Sequence, residues 1–167
     1  MTNELVVART FAATRELVFR AWSRAEHVKQ WFSPEPYSVP EAEIELRVGG
    51  AFNVCMQSPQ GQRHWSRGKF VEIVPNSRLV IDMHAVGDDN QPLFRAYTVV
   101  NFVDLPGGAT RIEVTQTYTL IDASMAAAMI GGAKLGWSQT LDKLEQELGR
   151  IKTLPAGRSG SFGTFTV

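Results

Sequence analysis

The sequence has few of the features that would directly assign a protein to a structural or functional class. It has a single cysteine, Cys55, among 167 residues, which excludes an internal disulfide framework and a multi-cysteine metal site. Its 17 basic residues balance 17 acidic ones, whereas a nucleic-acid binder carries a basic excess. No run approaches the roughly 18 apolar residues of a membrane span, and no secretory signal is visible at the N-terminus. We therefore expect a cytoplasmic globular protein that binds no nucleic acid and spans no membrane.

Motifs of catalysis and cofactor binding are also missing. The sequence contains no Gly-x-Ser-x-Gly motif, no Gly-x-x-x-x-Gly-Lys phosphate loop and no His-Glu-x-x-His metal helix. We interpret His27 as a surface residue of a helix. Cys55 alternates away from Val54 and Met56, so we interpret it as a small apolar residue on the outer face of a strand or at a strand contact. We assign no catalytic residue, no metal ligand and no cofactor.

Apolar periodicity predicts the order of secondary structure. Thr14 is a candidate N-cap for a first short helix, and a second short helix is expected to end at Trp31, ahead of Pro34. Strands are predicted, by alternation and turn residues, over residues 4–11, 42–48, 51–57, 67–74, 78–84, 94–104 and 110–120. Such evenly spaced strands with short turns are typical of an antiparallel sheet, so the predicted class is α+β.

One long helix is predicted over residues 122–148, because apolar residues recur there at steps of three and four. The stripe consists of Met125, Met129, Ala133, Trp137, Leu141, Leu144 and Leu148. Gly131, Gly132 and Gly136 lie within this predicted helix, and each lowers its stability by about 1 kcal/mol relative to alanine. We expect a close approach of the helix to the sheet or to a ligand to offset that cost. We assign residues 1–148 to the domain and residues 149–167, rich in Gly, Ser and Thr, to a C-terminal tail.

Four stretches of the chain together resemble a known family. They are Phe11–Trp22 with Trp31-Phe32, Val48–Phe52, Gly68–Pro75, and Gly136-Trp137 with Leu141 and Leu144. The ordered set is similar to the family named for the C-terminal domain of the activator of the heat-shock protein 90 ATPase, in its bacterial-type single-domain form. That family lies within the helix-grip superfamily, also called START-like or SRPBCC.

The resemblance implies a curved antiparallel sheet of six or seven strands around a long C-terminal helix, with two short helices after the first strand. Superfamily members hold lipids, sterols, hormones or polyketides between sheet and helix, and a few are cyclases or hydrolases. The eukaryotic namesake is a two-domain co-chaperone, and we expect this chain to be too short for its second domain.

Strand alternation then predicts which side chains face the interior. The candidate ligand-binding residues are Phe52, Val54, Met56, Ile81, Met83, Val100, Phe102, Val114, Gln116, Tyr118, Met129 and Trp137. Gln116 and Tyr118 follow two apolar residues on one face of a strand, so they either orient a ligand or lie hydrated and silent at the mouth. Trp137 either closes one end of the interior as a core residue or stacks on a ligand at the mouth. Trp65 is expected beside a turn.

Three functions remain. The first is binding of a small hydrophobic molecule, lipid-like or aromatic, with no covalent chemistry. The second is a cyclase- or hydrolase-type enzyme that uses Tyr118, His84 or Arg95 in the cavity. The third, weaker, is a stress-related protein-interaction or co-chaperone module. The absence of an acid–base pair beside a nucleophile favours the first, and a homodimer is left open.

Overall fold

The computed structural model describes residues 2–124 and 130–152, where one curved seven-stranded antiparallel sheet packs against helices. The helices are α1 (Arg15–Ser23), α2 (Ala25–Trp31) and α3 (Ala133–Lys152). The strands are β1 (Thr2–Phe11), β2 (Ser38–Ile44), β3 (Ala51–Gln57), β4 (Arg63–Val74), β5 (Arg78–Val86), β6 (Pro92–Leu105) and β7 (Ala109–Leu120). Their order in the sheet is β1-β7-β6-β5-β4-β3-β2. The predicted α+β class and helix-grip architecture are confirmed.

The two short helices form where local sequence signals predict them. The Thr14 hydroxyl accepts a hydrogen bond from the Leu17 backbone N–H at 3.3 Å, which satisfies one of the amides left unpaired in the first turn of α1. One face of α1 is buried, with Val18, Ala21 and Trp22 fully enclosed. Helix α2 ends at Trp31. Together α1 and α2 cover one half of the concave face of the sheet.

The long helix differs from its prediction at both ends. It begins at Ala133, directly after Gly132, which forms a turn between the helical residues 130–131 and α3, in keeping with the low helix propensity of glycine. It runs to Lys152, four residues beyond the predicted end, and buries Ile151 as the next member of the apolar stripe. Met125 and Met129 of that stripe lie outside the described residues, as does the predicted tail from residue 153 onward.

Two strands are also displaced along the sequence. The second strand was predicted over residues 42–48 but spans Ser38–Ile44, so Leu46 and Val48 lie beyond it with 45% and 64% of their surface exposed. The chain turns there because Gly49 adopts a φ of 83°, a backbone conformation that glycine accepts without strain. Strand β4 begins at Arg63, so Trp65 lies inside a strand, and the Arg67 guanidinium lies 4.4 Å from its ring centroid.

The interior between sheet and α3 has two distinct halves. In the half that α1 and α2 cover, which we term the closed end, aromatic rings fill the space. Phe102 of β6 meets Phe19 and Trp22 edge to face, with ring centroids 5.4 Å and 6.4 Å apart. The other half, which we term the open end, lies beside Gly132 at the start of α3 and the loop that joins β5 to β6. Neither α1 nor α2 covers it, and a cavity lies there.

Candidate functional site: a cavity at the open end

A cavity of about 220 Å³ lies at the open end, between α3 and strands β3 to β7. Its walls are mainly aromatic rings, thioethers and small side chains. The lining residues are Phe32, Pro34, Met56, His64, Trp65, Ser66, Met83, Ala85, Val86, Phe94, Ala96, Gln116, Tyr118, Gly132, Ala133, Gly136, Trp137 and Thr140. A concave apolar site with a few polar groups is the usual form of a small-molecule site.

Small residues on both walls create the space. On the sheet, Ala85 and Ala96 occupy inward-facing positions of β5 and β6, and Ala96 lies between Met83 and Tyr118 in the strand register. On the helix side, Gly136 lies beside Pro34, and an added Cβ would be in ordinary van der Waals contact with the Pro34 Cβ at 3.5 Å. Larger side chains at these positions would fill the cavity with protein atoms.

A hydrogen-bond network centred on Gln116 forms the inner polar surface. The Trp137 Nε1–H donates to Gln116 Oε1 at 2.7 Å, and the Tyr118 hydroxyl donates to the same oxygen. Gln116 Nε2 donates to the Thr98 hydroxyl at 2.9 Å, and that hydroxyl donates to the Ala96 carbonyl. Gln116 is 5% exposed, and its carbonyl oxygen accepts from both Trp137 and Tyr118. Its role in this structure is to attach Trp137 of α3 to the sheet.

Burial changes the acid–base chemistry of Tyr118. Desolvation raises the pKa of its hydroxyl to about 12, although the nearby Trp137 N–H acts in the opposite direction. A phenol with such a pKa stays protonated at neutral pH and is poorly matched to general acid–base catalysis, which favours a pKa near the working pH. Tyr118 therefore acts as a fixed neutral hydroxyl.

Trp137 separates the cavity from the closed end. Its indole is 8% exposed, stacks on Trp22 at 6.1 Å and meets Phe32 edge to face at 5.9 Å. The sequence offered two roles, core residue or ligand-stacking residue. The ring packs in the aromatic core, as the first role requires, and the side chain also lines the cavity.

A wider recess of about 940 Å³ adjoins the cavity and shares Pro34, Met56, His64, Val86, Gly132 and Gly136 with it. We term this recess the vestibule. Four acidic residues contribute to its lining, namely Glu35, Asp88, Asp89 and Asp122. A ligand that enters the cavity from the vestibule therefore passes carboxylates.

The predicted site residues divide into three groups. Met56, Met83, Gln116, Tyr118 and Trp137 line the cavity. Another group is buried in the core and does not line it, namely Phe52, Val54, Ile81, Val100, Phe102 and Val114. Met129 lies outside the described residues. Alternation therefore selected buried or cavity-lining positions among the described residues, but it did not separate these two groups.

Sequence reasoning missed most of the lining. Phe32 and Pro34 come from the connection after α2, and His64 comes from the first part of β4, which lies outside the strand predicted over residues 67–74. The sequence-based prediction omits the small residues Ala85 and Ala96 because it selects large apolar side chains as pocket residues. Alanine at inward positions of otherwise bulky strands is the signal that would have found them.

Two of the three candidate catalytic residues lie away from the cavity. His84 was expected at its rim, but it alternates with the lining residues Met83 and Ala85 and is not among them. Arg95 makes a two-pronged ion pair with Asp82, at 2.8 Å and 3.0 Å. That contact lowers the pKa of the Asp82 carboxyl. Only Tyr118 of the three contributes to the cavity wall.

His27 is not the surface residue that the sequence suggested. It is 5% exposed, and its Nδ1 lies 2.9 Å from Glu147 Oε2 of α3. Burial would raise the pKa of the Glu147 carboxyl, but hydrogen bonds from Arg150 and His27 outweigh burial and lower it. The charged cluster thus joins α2 to the C-terminal half of α3 at the closed end.

Cys55 is fully enclosed, and burial raises the pKa of its thiol. A protonated thiol is a weak nucleophile, which agrees with its interpretation as a small apolar residue. Within residues 2–124 and 130–152, no cluster of three His, Cys, Asp or Glu side chains is arranged to hold a metal ion. In the same part of the chain, no helix combines the length and the apolar character needed to cross a bilayer.

Solved structures with this architecture come from several bacteria. A protein from Nitrosomonas europaea is 26% identical with a TM-score of 0.75, and the match covers 90% of this chain and 97% of that one. One from Rhizobium leguminosarum is 27% identical with a TM-score of 0.72, covering 90% and 96%. The AHSA1 protein from Silicibacter pomeroyi shares the fold at 23% identity, with a TM-score of 0.73 and coverage of 89% and 99%.

Among curated proteins, none matches this chain. Residues 12–149 match the family model described as Activator of Hsp90 ATPase homolog 1-like protein. The match includes α1, α2 and all but the last turn of α3, together with every strand except β1. The four stretches on which the sequence resemblance rested lie within it or overlap it. The chain belongs to the Activator of Hsp90 ATPase homolog 1-like family.

Proposed function

We propose that this protein binds a small apolar molecule, aromatic or lipid-like, in the cavity at the open end and performs no covalent chemistry on it. The observation that supports the proposal is the contrast within one interior. Rings fill the closed end, whereas small residues on both walls of the open end leave about 220 Å³ of space. Leaving apolar side chains without packing partners costs stability, and a bound apolar molecule would recover that loss.

The polar groups of the cavity favour binding over catalysis. Catalysis of acyl transfer or cyclisation needs a nucleophile, or an acid–base group with a pKa near neutrality. Tyr118 has a pKa of about 12 and already donates to Gln116, while Arg95 is held by Asp82. The enzyme hypothesis therefore has less support than the binding hypothesis, and no observation favours the co-chaperone alternative.

The proposal is tested by filling the cavity. In Ala96→Phe an aromatic ring would occupy the space between Met83 and Tyr118. Ala8→Phe makes the same change at an exposed position of the edge strand β1 and serves as the control. The probe is 1-aminoanthracene, a neutral polycyclic molecule whose fluorescence rises in apolar surroundings, and thermal melts verify that both variants are folded.

We expect saturable 1:1 binding of the probe to the wild type and to Ala8→Phe, and a loss of at least tenfold in affinity for Ala96→Phe. Native mass spectrometry of the purified protein, followed by extraction, would identify a molecule that co-purifies. Equal probe affinity in the wild type and in a folded Ala96→Phe would contradict binding in this cavity.

A further inference from the structure

We propose that the cavity selects apolar molecules that carry a hydrogen-bond donor, a protonated amine above all, and discriminates against carboxylates of the same size. This inference rests on the proposed binding function and specifies the class of its ligand. Two independent features carry it. The first is the direction of the hydrogen bonds inside the cavity, and the second is the charge of the vestibule.

The hydrogen bonds inside the cavity have one possible direction. An indole N–H can only donate, so the Gln116 atom that faces Trp137 Nε1 must be the carbonyl oxygen. The Tyr118 hydroxyl faces the same oxygen and must also donate to it. Thr140 Oγ1 lies 2.8 Å from the Gly136 carbonyl, which can only accept, so the threonine proton is engaged as well.

Apart from the second N–H of Gln116 Nε2, the polar groups of the network therefore present acceptors to a ligand in the cavity. The protons of Trp137, Tyr118 and Thr140 are directed into the protein, and the oxygen lone pairs of Tyr118 and Thr140 are left for the ligand. His64 and Ser66 can both donate and accept, so they do not reverse this preference. A ligand carboxylate or carbonyl would compete for protons already in use, whereas an ammonium or hydroxyl group would satisfy the free lone pairs.

The vestibule adds negative charge outside the acceptors. Within the described part of the chain, Glu35 is paired with Lys143 at 3.5 Å, but no ion pair joins Asp88, Asp89 or Asp122 to a cation. Arg67 reaches the same loop, yet its Nε donates to the Asn90 side chain at 3.2 Å and not to a carboxylate. Three carboxylates thus remain uncompensated along the route into the cavity.

The polar contacts of these carboxylates hold their positions. Asp89 Oδ1 accepts from the Gln91 backbone N–H at 3.0 Å, and Asp122 Oδ1 accepts from the Ser124 backbone N–H at 3.1 Å. Charges at this entrance attract a cation and repel an anion even through water. Attraction for an amine and repulsion for an acid therefore separate the two by an order of magnitude or more in affinity. Aromatic faces in the cavity, such as Trp137 and Phe32, add cation–π attraction for an ammonium group.

The test uses three probes that share a naphthalene ring and differ in the polar group. They are 2-(1-naphthyl)ethylamine, a cation at neutral pH, 2-(1-naphthyl)ethanol, a neutral donor, and 1-naphthylacetic acid, an anion. Isothermal titration calorimetry at low ionic strength gives their affinities. We expect the amine to bind most tightly, the alcohol next, and the acid at least tenfold more weakly than the amine. The gap should shrink in about 0.5 M salt, which screens exposed charges.

Two double variants distinguish the effect of the vestibule charges on affinity from the effect of the polar groups inside the cavity. Asp88→Asn with Asp89→Asn removes two vestibule charges and keeps the side-chain oxygen that Gln91 uses. The control, Asp104→Asn with Glu113→Gln, removes two charges near the opposite end of β6 and β7. We expect the vestibule variant to lose at least threefold in affinity for the amine and to keep its affinity for the alcohol, while the control keeps both.

The failure of this inference differs from the failure of the proposed function. Binding of the acid as tightly as the amine, or equal amine affinity in the vestibule variant and the wild type, would overturn the charge preference while leaving apolar binding in place. Absence of binding for all three probes would contradict both proposals, since the naphthalene ring itself is the apolar ligand they require.

Discussion

The closed and open ends of the interior are built from the same strands with the same alternation, yet one is core and the other is cavity. On β6, Phe102 packs under Phe19 and Trp22 at the closed end, while Ala96, six residues earlier on the same face, lines the cavity. Helix α3 repeats the contrast. Its C-terminal half buries Leu144, Leu148 and Ile151, and its N-terminal part begins beside Gly132. What packs over an inward-facing position decides whether it stabilises the fold or lines a site.

The largest expected difference between the two ends is in stability. Phe102→Ala should lower the free energy of unfolding by about 3–5 kcal/mol, because it removes a fully packed ring. Phe94→Ala removes a half-buried ring that borders the cavity, and its cost should be about 1 kcal/mol, half of a typical burial contribution. Urea unfolding measures both. Equal losses would mean that the open end is packed as tightly as the closed end.

The buried charges of the closed end provide the next test. Glu147→Ala should cost about 3 kcal/mol, because it leaves His27 without its buried partner. The pKa of Glu147 is lowered in the folded state, so its contribution is complete above the unfolded glutamate pKa of about 4.3. That contribution is lost as the pH falls through the lower folded value.

Urea midpoints of the wild type and Glu147→Ala should therefore differ most at neutral pH and converge in acid. Glu145→Ala, an exposed position on the same helix, is the matched control and should show little difference at either pH. A gap between the wild type and Glu147→Ala that stays constant into strong acid would argue against an ionised Glu147 in the folded protein.

At the open end, the Gln116 network should contribute less. Gln116→Leu keeps the approximate size of the side chain but leaves the Trp137 N–H and the Tyr118 hydroxyl without their acceptor, at a cost of about 1–3 kcal/mol. We also expect a change in the emission of Trp137, because its hydrogen bond to the sheet is lost. Gln139→Leu, on the vestibule side of α3, is the control. A Gln116→Leu protein as stable as the wild type would show that Trp137 is held by packing alone.

The smallest expected effect concerns Tyr118. Its pKa of about 12 lies above the unfolded value of about 10, so the neutral phenol contributes stability that is complete below pH 10 or so. This contribution is lost as the pH rises through the folded value. Ultraviolet titration of the folded wild type should show a late-ionising tyrosine that is missing in Tyr118→Phe. If the phenol that is missing in Tyr118→Phe instead ionises at about pH 10 in the wild type, the Tyr118 hydroxyl is in contact with solvent.

The sequence predicted the elements better than the site. Thr14 as a helix cap and Gln116 on an inward face follow from local rules, capping and alternation, and the structure has both. The burial of His27 could not be predicted, because its partner Glu147 is 120 residues away. The role of Ala96 was missed for a different reason: a cavity is defined by atoms that are absent, and periodicity of apolar bulk does not report them.

The small residues on the cavity walls have a consequence for how this fold diversifies. Replacing Ala85 or Ala96 by valine or leucine would take volume from the ligand without moving the backbone, since the new atoms enter space that is already free. Adding methyl groups to a filled core forces the backbone to shift, whereas this cavity has room for them without a shift. The pocket can therefore be resized by a few methyl groups at a time, and ligand size becomes a property that mutation can change almost independently of the fold.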